Sequence, residues 1–196
     1  MVSSLQTIRT FVAVDFDTDG KQQLAAVQQE LIAAGSQSGI RWVVPANFHL
    51  TLFHLGATPT ALLGRIEAVL AAAVHGHGAL QLSYAGVGSF PAQGEPRVLY
   101  LALAPPLEQL HALQQSVTTA LNELDFHADF KVWQPHVTLG KRSGSRGVRE
   151  PAWWHQMQQL SLPLPAPVAV EELCLFQSLM QQGQTSYARL AQFMLE

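Results

Sequence analysis

Residues 47–54 read NFHLTLFH, and residues 134–141 read QPHVTLGK. Each contains His-aliphatic-Thr-Leu, and the two histidines, His49 and His136, stand 87 positions apart. In a β-strand the side chains alternate between faces, so residues i and i+2 share one. His49 and Thr51 therefore point one way while Leu50 and Leu52 point the other, into a core. His136 and Thr138 stand in the same relation to Val137 and Leu139. With this composition one such match arises by chance with odds of about one in ten, and two with odds of about one in two hundred.

The pair lies inside a longer repeat. FVAVDF (11–16) places Val12, Val14 and Phe16 on one face, and VLYLAL (98–103) places Leu99, Leu101 and Leu103 on the matching face, again 87 residues later. Alternation of this kind predicts strands. Each strand leads into a helical pattern: Leu24, Val27 and Leu31 in the first half, Leu110, Leu113 and Val117 in the second, now at an offset of 86. Thr18 or Asp19 is the expected cap of the first helix, and Gly35 its expected end. Each half then reaches its His-aliphatic-Thr-Leu strand, a link and a further strand. ALLGRIEAVLAAAV (61–74) is an amphipathic helix in the first link, and PAWWHQMQQL (151–160) is less regular in the second. LQLSYAGVGSF (80–90) and VAVEELCLFQSL (168–179) read as strands, as does TSYARLAQF (185–193) near the end. The Gly- and Pro-rich FPAQGEPR (90–97) divides the halves. The expected fold is α+β, a single domain over residues 1–196. Two pseudo-symmetric lobes from repeats at about 9–90 and 96–179, with a closing strand near 185–193, would set antiparallel sheets with outer helices around a central cleft.

Composition narrows the function classes. Hydrophobic residues are 48% of the 196 and charged residues 13%, which suits a sizeable core and not a disordered chain. A net charge of −3 excludes a general electrostatic attraction for nucleic acid, so any phosphate-binding charge must be local. The single cysteine, Cys174, sits in a strand-like segment and reads as a small core residue. The first residues lack an apolar run of the secretory type, and the most apolar stretch carries Arg65 and Glu67 and is too short to span a bilayer. A soluble, cytoplasmic, monomeric protein is expected.

If the lobes are related by a pseudo-two-fold axis, the polar faces of the two strands meet, giving two imidazoles and two hydroxyls. In-line displacement at phosphorus needs a base on the entering oxygen and an acid on the leaving oxygen, on opposite sides. Two histidines with ordinary values near 6.5 can hold those complementary states near neutrality, and hydroxyls can donate to the phosphoryl oxygens. No metal is required. A site of His49, His54 and His136 is conceivable for a metal but lacks a carboxylate or Cys partner at a recognisable spacing. HGHG (75–78) reads as a polar loop ending a helix, and His111, His127 and His155 as surface or structural residues. GKRSGSRGVRE (140–150) could grip an RNA backbone through Lys141, Arg142, Arg146 and Arg149, against the plainer reading of a solvated loop. Trp42, Trp133, Trp153 and Trp154 could stack on bases, with core packing the default for each.

These motifs resemble the two-histidine (2H) phosphoesterases, a superfamily with paired His-x-Thr-x motifs in a duplicated fold. The closer likeness is to the bacterial and archaeal RNA 2′,3′-cyclic phosphodiesterases, also called 2′-5′ RNA ligases. RTFVAVDF, WVVPANFHLTLFHLG, FPAQGEPRVLYLAL, WQPHVTLGK and LCLFQSLMQQGQTSYARL carry it across nearly the whole chain. The resemblance implies that His49 and His136 are the acid–base pair and that Thr51 and Thr138 bind phosphate. It implies a cation five residues after the second histidine, often Arg; here that residue is Lys141 and Arg142 follows, so either could supply the charge. It implies no cofactor. The implied reaction opens a 2′,3′-cyclic phosphate on RNA ends or nucleotides to a 2′-phosphate, and its reverse would join RNA through a 2′-5′ linkage. His136 as base and His49 as acid is the preferred arrangement in hydrolysis, although the near-symmetry leaves the exchange open. An RNA-end binding protein with little turnover, or a phosphodiesterase for another substrate such as 2′-5′ oligoadenylate, are the alternatives.

Overall fold

The computed structural model describes residues 6–34, 39–128, 132–142, 151–181 and 183–196. Strand β1 (Thr7–Asp15) leads into helix α1 (Thr18–Ala34), a short strand β2 (Ile40–Trp42), and β3 (His49–Pro59), the first motif strand. Helix α2 (Leu63–Val74) and β4 (Leu80–Phe90) complete the first repeat. The second runs β5 (Val98–Ala104), α3 (Glu108–Asn122), β6 (His136–Arg142), α4 (Ala152–Gln158), β7 (Val168–Val170) and β8 (Glu172–Gln181), and β9 (Gln184–Met194) follows. The helix in the less regular second link is α4, where Trp154 and Met157 are buried three residues apart. The first helix is capped one residue earlier than expected, because the Asp17 carboxylate accepts the Gly20 N–H at 2.7 Å.

The strands form one antiparallel sheet in the order β7-β4-β5-β6-β3-β1-β8-β9, with β2 flanking β6. Reading outward from the centre, β6, β5, β4 and β7 mirror β3, β1, β8 and β9. The pseudo-two-fold axis thus passes between the motif strands. Among the described residues β3 and β6 meet through one pair, Leu50 opposite Val137. Beyond it they part, and β2 fills the gap with Ile40, Arg41 and Trp42 opposite Arg142, Lys141 and Gly140.

The order also shows that the outermost strand of each repeat is exchanged. β4 pairs with β5 of the second repeat, and β8 pairs with β1 of the first. The halves in space are therefore not the halves of the sequence. β1 consequently has a neighbour on each edge and is buried on each face. Val12, Val14 and Phe16 join the main core under the helices, together with Leu99, Leu101 and Leu103. Phe11 and Ala13 form a second, smaller cluster with Cys174 and Phe176, against which Tyr187 packs. Burial in that cluster pushes the Cys174 thiol up to about 12, so it is a packing residue.

Candidate active site

The register at Leu50 and Val137 sets the geometry of the motif residues. Both side chains are fully buried in the core. Alternation then sends His49 and Thr51, and His136 and Thr138, to the opposite face, where all four are half-buried. Because the strands run antiparallel, continuing the register by one residue sets His49 across from Thr138 and Thr51 across from His136. Each imidazole thus faces the hydroxyl of the other repeat.

The two rings are held in the same way. His49 Nδ1 lies 2.7 Å from the Asn47 carbonyl oxygen, and His136 Nδ1 lies 2.8 Å from that of Gln134. An acceptor at that distance fixes the proton on Nδ1 in the neutral ring and leaves Nε2 for chemistry. Aromatic walls limit ring motion. Phe11 and Tyr187 stand with centroids 5.0 Å from His49, Tyr187 edge-on. Phe90 and Tyr100 stand 5.0 and 5.1 Å from His136. Gly88 makes room for the Tyr100 ring, since a Cβ there would lie 2.5 Å from it.

Strict alternation would turn Lys141 to the core side, five residues from His136. A bulge prevents this. Leu99 pairs with Gly140 and Tyr100 with Thr138, so Leu139 is skipped. The equivalent bulge in β3 skips Leu52, because Val12 pairs with Phe53 and Ala13 with Thr51. Both return the fifth residue after the histidine to the cleft face: exposed His54 in one strand, exposed Lys141 in the other. Arg142 turns the other way and ion-pairs with Glu95. Arg146 and Arg149 lie outside the described residues.

The imidazoles are not electrostatically alike. Burial pushes His49 down to about 4, and the positive charges of His54 and Lys141 push the same way against the Asn47 carbonyl and Asp15. His136 is also lowered, first by burial and then by Lys141, against the Gln134 carbonyl. Lys141 is thus felt by both rings. Replacing it with an uncharged side chain of similar length, Lys141→Met, is expected to raise both histidine values, because a nearby cation disfavours the protonated ring. Titration of the ring protons by NMR reads this directly, and an unchanged pair of values would place Lys141 away from the cleft.

A hollow of about 200 Å³ opens beside His49, between Asp15, Lys21, Asn47, Phe176, Tyr187 and Arg189. Its charges are largely spent on one another: Asp15 pairs with Lys21 at 2.7 Å and with Arg189 at 2.9 Å, and Arg189 also meets Glu172. The tryptophans do not wall the cleft. Trp154 is buried in the core, Trp42 and Trp153 pack on it, and Trp133 donates its indole N–H to the Thr51 carbonyl. Among the described residues no group of three or more His, Cys, Asp or Glu is arranged to hold a metal ion. His77, from the HGHG segment, hydrogen-bonds Ser116.

A family profile described as the 2′-5′ RNA ligase superfamily matches residues 46–181, both motif strands included. The chain belongs to that superfamily. An Archaeoglobus fulgidus protein named RNA 2′,3′-cyclic phosphodiesterase is 35% identical over 134 residues, covering 68% of this chain and 72% of the relative. A Thermotoga maritima protein of the same name is 28% identical over 172 residues, 87% of each chain. The fold is also that of E. coli LigT in its crystal structure with 3′-AMP, with a TM-score of 0.76 at 19% identity over 97% of this chain and 99% of that one.

Two polar residues of this superfamily member escaped the sequence reading. Gln28 and Gln114 are buried, at 2% and 8% exposure, on α1 and α3. Gln28 Nε2 donates to the Leu139 carbonyl at 2.8 Å and also to Val43 O. Gln114 Nε2 donates to the Leu52 carbonyl at 3.4 Å. Each glutamine therefore donates to the carbonyl of the bulged leucine in the other repeat, and the Leu139 carbonyl also accepts the Val43 N–H at 2.9 Å. The signal was present in the sequence, because the two are 86 residues apart, the offset of the helices themselves.

Proposed function

We propose that this protein is a metal-independent phosphodiesterase that opens 2′,3′-cyclic phosphates on RNA ends or nucleotides, leaving a 2′-phosphate. The observation that carries the reading is the matched pair of imidazoles. Each has Nδ1 tied to the carbonyl two residues earlier, and each lies on the cleft face of neighbouring antiparallel strands. The names of the Archaeoglobus and Thermotoga relatives support the substrate class. Thr51 and Thr138 donate to the phosphoryl oxygens, and Lys141, which has no carboxylate partner among the described residues, balances their charge. Arg142 is left to Glu95.

The hollow beside His49 receives the nucleoside. The 3′-oxygen that leaves is attached to that nucleoside, so it departs on the His49 side. His49 then delivers a proton to it while His136 takes one from water on the far side. A phosphodiester anion between the rings favours their protonated forms and raises the depressed value of His49. With an RNA 5′-hydroxyl entering in place of water, His136 and His49 keep the same roles and the product is a 2′-5′ linkage made without a nucleotide cofactor; only cleavage of that linkage back to the cyclic phosphate exchanges them.

Incubation with adenosine 2′,3′-cyclic phosphate and a short cyclic-phosphate RNA in EDTA tests the reading. Hydrolysis should persist in chelator, since both proton transfers are assigned to imidazole, and the phosphate should remain on the 2′-oxygen. Binding without turnover would make the protein an RNA-end binder. Loss in EDTA with rescue by Zn²⁺ or Mn²⁺ would replace the two-histidine scheme by metal-assisted hydrolysis.

A further inference from the structure

β2 carries a residue that the scheme above leaves unused. Ile40 and Trp42 turn toward the core, where both pack against the main cluster and abut the position of a Gly140 side chain. Alternation sends Arg41 between them to the cleft face. There it stands directly opposite Lys141, and both are exposed. Side chains directly opposite in an antiparallel pair are separated by about 5 Å at Cβ, and like charges at that spacing repel. No carboxylate pairs with either cation among the described residues. Elsewhere the protein does pair its cleft cations, Lys21 and Arg189 being matched to Asp15 and Glu172. Two adjacent, unmatched cations in a chain of net charge −3 form a local anion site.

Lys141 is close enough to both imidazoles to depress them, so the cyclic phosphate falls within its reach. Arg41 lies across from Lys141, in the gap where β3 and β6 part. The strands meet at Leu50 and Val137, between the two histidines, so the gap that holds Arg41 lies past the residues flanking the reacting phosphorus. We infer that Arg41 binds the phosphodiester on the 5′ side of the terminal nucleotide, so that the protein prefers a cyclic phosphate at the end of an RNA chain to the same group on a free nucleoside. This rests on the RNA-end reading of the cleft. Guanidinium suits the task, since its planar fork matches two phosphate oxygens and a phosphate contact of this kind carries no base preference.

The experiment compares adenosine 2′,3′-cyclic phosphate with its 5′-phosphorylated form, in the wild type, Arg41→Gln and Arg41→Lys. The wild type should favour the 5′-phosphorylated substrate by about two- to fivefold in kcat/KM, through KM, as expected for one exposed ion pair. In Arg41→Gln that ratio should fall to near one, and Arg41→Lys should keep most of it. On a cyclic-phosphate oligonucleotide, Arg41→Gln should also flatten the log–log salt dependence by about 0.7, the share of one contact on a single strand. A wild type indifferent to the 5′-phosphate overturns the inference. So does an Arg41→Gln ratio equal to the wild type's, including the case where both substrates suffer alike. If neither substrate is turned over by the wild type, the proposed function is what fails. Calorimetry with adenosine 2′,5′-bisphosphate against adenosine 2′-phosphate then decides Arg41 alone: a preference lost in Arg41→Gln supports it, and an unchanged preference overturns it.

Discussion

His49→Ala and His136→Ala are each expected to lower kcat/KM on a cyclic-phosphate substrate by about 10²–10⁴-fold, the usual contribution of a general acid or base. The two losses should differ in kind. The acid variant should be hurt least on a nitrophenyl phosphodiester, whose leaving group departs without a proton, whereas the base variant should be hurt as much on that substrate as on any other. With His49 as acid, His49→Ala is the one rescued. The wild-type kcat/KM profile should be bell-shaped, with both limbs displaced to the acid side of the ordinary histidine value of 6.5, because burial lowers both rings in the free protein. The kcat profile should lie at higher pH, since it reports the complex, in which phosphate charge favours protonation. Near wild-type turnover in either alanine variant would sink the paired-histidine mechanism.

The second large effect concerns stability. Leu50 is fully buried and forms, with Val137, the pair through which the two motif strands meet. Leu50→Ala leaves a cavity at that meeting point and is expected to cost about 2–5 kcal/mol. For a domain of this size that is a fall in Tm of roughly 5–15 °C. Leu50→Met, which keeps the volume, should cost less than about 1.5 kcal/mol. Thermal unfolding followed by circular dichroism measures both. A Leu50→Ala variant within about 0.5 kcal/mol of the wild type would mean that the pair is not a packed junction.

Much of this was legible because period-2 and helical patterns are local. His49 and Thr51, and His136 and Thr138, share a face by alternation alone, and the buried leucines and valines of β1, β5, α1 and α3 followed from the same rule. What was not legible depends on pairing. The sequence could not show that the skipped Leu52 and Leu139 return His54 and Lys141 to the cleft, because a bulge exists only relative to a partner strand. Nor could it separate Lys141 from Arg142, since which of two adjacent cations faces the cleft is set by the bulge. The aromatic walls come from β1, β4, β5 and β9, four elements that no window of sequence joins. Gln28 and Gln114 carry no local sign of burial, since the leucine carbonyls they reach belong to the opposite repeat.

The exchanged strands set a condition on synthesis. β1 leaves the ribosome about 160 residues before β8, yet its outer edge pairs with residues 174–178 of β8. β4 waits less, because β5 follows it directly. Until β8 emerges, Arg9–Ala13 therefore presents an open hydrogen-bonding edge with Phe11 beside it, the kind of surface that recruits another nascent chain. Closing it brings together segments separated by about 165 residues, so the entropy of that loop is spent near the end of folding. The cleft wall around His49, built on β1, β8 and β9, is completed only once β8 and β9 have followed.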